Sequence, residues 1–174
     1  MAGRSSSSQH NGPRVTNGAV VGSASFTPAA TAYSAGDVIS VAQEFKFKYA
    51  NGQPVVAGAL IRIMSSVLKI DQTALQASEA GYGLQLYGVT PPSALADNAA
   101  WTLASGDLPA YRGALSLGTP VDLGSACYIK TQFTDLQDFN LEPAKTSLFG
   151  HLVTTPGLTY NAVARQVFLY GIVL

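Results

Sequence analysis

Apolar and polar residues alternate with a period of two along most of the chain. Glu44-Phe45-Lys46-Phe47-Lys48-Tyr49 sets apolar against charged residues one by one, which predicts a strand with one dry and one wet face. Asn51-Gly52 follows as a turn signal. Ala59-Leu60-Ile61-Arg62-Ile63-Met64 predicts a second strand, continuing to Ile70, with Ser65-Ser66 as a bulge where the apolar phase slips. Residues 84–89 predict a third, stopped by Pro91-Pro92. Residues 114–117 and 126–131 flank a turn around Gly118-Thr119-Pro120, and residues 147–153 and 166–173 close the chain. Residues 15–21 and 37–41 carry a fainter strand pattern. Helical patterning is thin. Residues 71–81 read as a short capped helix ended by Gly81, or as the loop of a long hairpin joining 59–70 to 83–89, which is the preferred reading. Residues 105–110 suit a single helical turn. Many short strands punctuated by Gly and Pro predict an all-β sandwich or barrel.

The last strand breaks the alternation. Val167-Phe168-Leu169-Tyr170-Gly171-Ile172-Val173-Leu174 is apolar on both faces. A strand with one wet face should alternate, so this one lies central in a packed sandwich, has its outer face covered by another chain, or both. Residues 1–14 break the pattern in the opposite sense. Gly3-Arg4-Ser5-Ser6-Ser7-Ser8-Gln9-His10-Asn11-Gly12-Pro13-Arg14 holds no large apolar side chain, cannot add to a core, and would be mobile if free. The expected organisation is an extended N-terminal arm, residues 1–14, ahead of a β-domain, residues 15–174. The arm is expected to dock on a partner subunit. Arg4 and Arg14, its only charged side chains, would pair with a partner's carboxylates or carbonyls. With His10, Phe168 and Tyr170 they form the predicted partner-binding set.

Composition sharpens this picture. Of 174 residues, 47% are hydrophobic and only 11% charged, against about 25% charged in an average soluble chain. Wholesale disorder is excluded, and no apolar run approaches the roughly 18 residues of a membrane-spanning helix. So charge-poor a surface suits a subunit packed against other subunits. Ten Lys and Arg balance ten Asp and Glu, so nucleic acid and anionic membranes are not expected partners. Cys127 is the only cysteine, which forbids an internal disulfide and fits synthesis in a reducing compartment. Residues 1–13 lack the apolar stretch of a secretory signal.

Candidate chemistry is sparse. Two histidines, His10 and His151, do not make a metal cluster, and no cofactor is expected. Cys127 sits between Ala126 and Tyr128 and reads as a buried, inert thiol. No Gly-x-Ser-x-Gly elbow or phosphate-cradling loop occurs. Asp135, Asp138 and Glu142 fall in a polar stretch that reads as a solvated loop between strands. A glycosidase pair would have to come from there. Trp101 and the tyrosines suit core packing first and a sugar platform second. The expectation is that the chain is not an enzyme.

Three stretches carry a resemblance. Thr31-Ala32-Tyr33-Ser34-Ala35-Gly36-Asp37-Val38-Ile39, the strand block that follows up to Tyr87, and Ala96-Asp97-Asn98-Ala99-Ala100-Trp101-Thr102-Leu103 with Ser105-Gly106-Asp107-Leu108, resemble head-associated structural proteins of tailed bacteriophages, several of which act as capsid cement or decoration proteins. The likeness spans roughly residues 27–135. It implies a jelly-roll-like antiparallel β-sandwich that assembles, often as a trimer, on the outside of the shell. The partners it implies are the major capsid protein and further copies of the chain, and the location it implies is the virion, after synthesis in the host cytoplasm. No catalytic residue or cofactor is implied. The competing expectations are a tail, baseplate or neck β-domain, a carbohydrate-binding sandwich using Trp101, and a glycosidase.

Overall fold

Alternation sorts side chains as expected: Phe45 and Phe47 are buried, while Lys46 and Lys48 face solvent. The structure, a computed structural model, describes residues 18–174. Its strands are β1 (Ala19–Phe26), β2 (Ala32–Tyr33), β3 (Val38–Lys46), β4 (Lys48–Tyr49), β5 (Leu60–Ile70) and β6 (Tyr82–Tyr87). They continue with β7 (Tyr111–Gly118), β8 (Val121–Asp122), β9 (Cys127–Asn140), β10 (Ser147–Thr154), β11 (Leu158–Thr159) and β12 (Arg165–Val173). One 3₁₀ turn, Ser105–Asp107, is the sole helical element among the described residues.

Two antiparallel sheets pack face to face as a sandwich. The larger has the order β4-β1-β12-β5-β9-β8, and the smaller β3-β10-β6-β7. A short β2–β11 ladder stands apart. Between the sheets, Leu84, Leu86, Leu148 and Leu152 from the smaller meet Ile61, Ile63, Val167 and Leu169 from the larger. Each such side chain, fully buried, favours the fold by about 1.5–3 kcal/mol over leaving it exposed. The last strand is central, between β1 and β5, in agreement with its apolar character.

Several expectations change. The single strand predicted over 44–49 is divided: β3 ends at Lys46, and Lys48–Tyr49 forms β4, which pairs with β1 in the larger sheet. Residues 71–81 do not close a hairpin, because β5 and β6 belong to different sheets. The loop carries the chain from one layer to the other without a helix. The turn near Gly118 likewise links strands of opposite sheets, β7 and β9. Asp135 and Asp138 lie on β9 rather than in a loop. The outer residues of β9 are open to water, so a polar sequence is compatible with a strand there, and Arg62 directly opposite holds Asp138 through two bonds of 2.6 and 2.7 Å. The predicted bulge exists one residue from its expected place. Register against both neighbours skips Met64, where residues 133–136 of β9 stand opposite this single residue. Residues 15–17 fall outside the described residues, and β1 runs on past the predicted end at Val21 to Phe26.

Two of the stretches that carry the resemblance, residues 31–39 and 96–108, dock on each other. Val38 N–H donates to the Ala99 carbonyl (2.8 Å), Asn98 N–H to Val38 (2.8 Å) and Trp101 N–H to Gly36 (2.9 Å). Asp97 accepts from the Tyr33 hydroxyl (2.7 Å), Ala29 N–H (3.0 Å) and Ser40 N–H (2.6 Å). Ser40 has a φ of 64°, and its bond to Asp97 helps hold that left-handed conformation. The segment after β6 folds over the outer face of the smaller sheet. Trp101 packs there against Tyr111 and donates from Nε1 to the Tyr87 hydroxyl at 3.1 Å.

Candidate functional site

The two outer faces differ. That of the smaller sheet is roofed by the chain's own 88–110 segment, through Trp101, Tyr87 and Tyr111. The matching face of the larger sheet has no such roof among the described residues. Inward-pointing Val167, Leu169 and Gly171 of β12 send the alternate residues Phe168, Tyr170 and Ile172 outward. Phe168 lies between Ser23 of β1 and Val67 of β5, and Tyr170 between Val21 and Ser65. Phe168 is half-buried and Tyr170 is exposed.

The bulge adds to this face. By leaving the ladder, Met64 turns outward, and Leu136 of β9 does the same. Met64 is 44% exposed, Leu136 45% and Tyr170 40%, so three large apolar side chains meet solvent on one surface. Between them runs a groove of about 400 Å³ reaching from Ala19 to Phe133, with no charged side chain in its lining. A second, polar groove of about 310 Å³ between β7 and β9 adjoins it through the shared residues Gln132 and Phe133, and includes Asp135.

Of the predicted partner-binding residues, Phe168 and Tyr170 therefore share this face. Arg4, His10 and Arg14 lie outside the described residues. Met64, Phe133 and Leu136 escaped the sequence reading. Their signal was faint: Phe133 and Leu136 are spaced three apart, out of phase for a strand, and only the bulge reconciles them.

Arg165 and Glu79 form an ion pair (2.9 Å) with both side chains sealed from solvent. Arg165 also donates to Asn161 Oδ1 (3.2 Å) and Gln76 Oε1 (3.2 Å) and stacks over the Tyr160 ring at 4.5 Å. The Tyr82 hydroxyl donates to Glu79, and burial holds that phenol well above its ordinary range, so it stays a donor. This network ties the 71–81 crossing to the entry of β12. His151 is fully buried, edge-on to Tyr87, with neither ring nitrogen hydrogen-bonded within the protein. Burial lowers its pKa, against a smaller opposing pull from Asp107. Burial likewise raises the Cys127 thiol. Asp138 is held by Arg62 and Glu142 by Arg112. No cluster of three or more His, Cys, Asp or Glu suited to a metal occurs among the described residues.

Comparison with protein-family models gives no match, and neither does comparison with curated proteins.

Proposed function

We propose that this chain is a virion structural protein: a cement or decoration subunit that binds the assembled major capsid protein lattice of a tailed bacteriophage. In this reading it is made in the host cytoplasm, acts as a homo-oligomer, most simply a trimer, on the outside of the head, and catalyses nothing. The observation that carries it is the apolar face of the larger sheet, which no other described residue covers and where Met64, Leu136 and Tyr170 meet solvent without a flanking charge in the groove. Such a face is costly for a solitary protein and useful for one that is always stuck to something. The resemblance of residues 31–39 and 96–108 to head-associated proteins supports the same reading. So does the way the long strands interleave between the sheets, β1-β12-β5-β9 against β3-β10-β6-β7, which suits a jelly-roll-like sandwich.

The mechanism is thermodynamic. A subunit that binds only the assembled lattice stabilises it by mass action. Repetition over a symmetric shell lets each contact be individually weak. The test is to mix the purified chain with isolated shells, pellet the particles and count copies. Hundreds of copies per particle are expected. A handful would move the protein to the tail or neck, and none would overturn the proposal.

A further inference from the structure

His151 is buried outside the core between the sheets. Leu148 and Leu152 of β10 point into that core, and Gly150 faces Leu84 and Phe45 there. Phe149, His151 and Val153 therefore point to the outer face of the smaller sheet. On that side the layer between the imidazole and water is the 88–110 roof. The ring is fully buried, stands edge-on to Tyr87 with ring centres 5.8 Å apart, and has no hydrogen-bond partner for either nitrogen among the described residues.

Few titratable or charged groups surround it. Tyr87 of β6 is its aromatic neighbour, and Tyr111 of β7 packs on Tyr87. Asp107 of the roof is fully buried and attracts a protonated ring, but its carboxylate is taken by the Ser93 N–H (3.0 Å) and the Ser93 hydroxyl. On β3 the residues opposite His151, Ser40, Val41 and Ala42, carry no titratable side chain. Glu44, further along β3, is bound by Lys46 (3.3 Å) and by the Ser147 hydroxyl (2.7 Å). A proton taken up by the ring has no acceptor while the roof is shut, and burying an unpartnered charge is costly.

The roof is held lightly. Between residues 89 and 109 only Pro91 and Asp107 are buried. Among the described residues, its hydrogen bonds to the chain before residue 88 all come from residues 97–101. A segment that buries so little opens locally at less cost than the whole fold.

We propose that the 88–110 roof is a proton-released flap: protonation of His151 lifts it from the smaller sheet and bares Tyr87, Tyr111 and Trp101 as a second, aromatic face. The neutral ring keeps the flap shut. In the open form the ring meets water and titrates at the ordinary value of about 6.5, so each pH unit below that raises the open population by up to about tenfold, until the shut form also takes a proton. The flap works whether or not the chain is attached to a shell.

Amide hydrogen exchange of the purified chain, read residue by residue by NMR and corrected for the intrinsic effect of pH, tests it. The Asn98 and Trp101 amides should be less protected than the Leu169 amide of central β12, and should lose protection about 10- to 30-fold between pH 8 and pH 5. His151→Leu should abolish that loss. Trp101 is the only tryptophan, so acrylamide quenching of the unaltered chain's fluorescence should rise over the same range. Roof amides as protected as Leu169 at pH 5, or an equal loss in His151→Leu, overturns the proposal. So does titration of the His151 ring resonances in the unaltered chain with the roof amides and the quenching unmoved.

Discussion

Arg165 and Glu79 have no contact with water, so each charge depends on the other and on the polar atoms around it. Removing one partner of such a pair strands the other: Glu79→Ala should cost about 3–5 kcal/mol, measured by urea unfolding. A loss below about 1 kcal/mol would mean that Arg165 is satisfied by its other partners, Asn161, Val163, Gln76, Tyr82 and Tyr160. Asp97 is a second single-residue tie, receiving one hydroxyl and two backbone N–H bonds. Asp97→Ala should destabilise by about 3 kcal/mol, since bonds to a charged group contribute about 1.5–3 kcal/mol each and some regain water. His151 sets a pH dependence. Its folded pKa lies below the ordinary 6.5 because burial disfavours the charged ring. Above 6.5 neither state binds the proton. As pH falls past it the unfolded chain protonates first, so stability drops until the folded value is reached. His151→Leu should flatten the fall in urea midpoint between about pH 7 and pH 5. An unchanged slope would place the acid sensitivity elsewhere.

At the scale of elements, β12 is the spine of the larger sheet. Gly171 faces inward where the register slips past Met64, and a Cβ there would overlap the carbonyl oxygen of Arg62. Gly171→Ala should therefore cost at least the roughly 1–3 kcal/mol of ordinary overpacking, because the obstacle is backbone and cannot turn away. A melting temperature equal to that of the unaltered chain would contradict this register. Strand positions were legible in the sequence wherever one face is dry: β5, β6, β10 and β12 each announce themselves by alternation or by an apolar run, whereas the alternation over 44–49 straddles the end of β3 and the start of β4. Which sheet each strand joins was not. The route of residues 71–81 depends on Glu79 meeting Arg165, a contact 86 residues away that no local pattern reports. The full length of β9 was hidden too, because a strand wet on its outer side reads like a loop. The uncovered face was half legible. Phe168 and Tyr170 follow from an apolar strand with no wet face, whereas Met64 and Leu136 turn outward only because a bulge shifts their phase. Residues 31–39 and 96–108, two of the stretches that carry the resemblance, are tied together by backbone bonds and at Asp97. Their pairing supports the fold and leaves the partner to be read from the outer face.

At the scale of the whole molecule, a charge-poor sandwich roofs one sheet with its own chain, while the other has no roof among the described residues. Residues 1–13 have nothing large and branched to bury, so deleting them should leave the melting temperature within about 4 °C of the full chain while weakening attachment to shells in a pelleting assay. Unfolding on deletion would place the arm within the core and contradict the division at residue 14. Tyr170→Glu with Leu136→Asp should likewise preserve the fold and lower the pelleted fraction. The most direct measurement of the central claim is an electron-microscopic reconstruction of decorated heads at side-chain detail. It should show Met64, Leu136 and Tyr170 buried against a second copy or the capsid lattice. Finding that face turned to open solvent, with the roofed sheet making the contacts, would contradict the account.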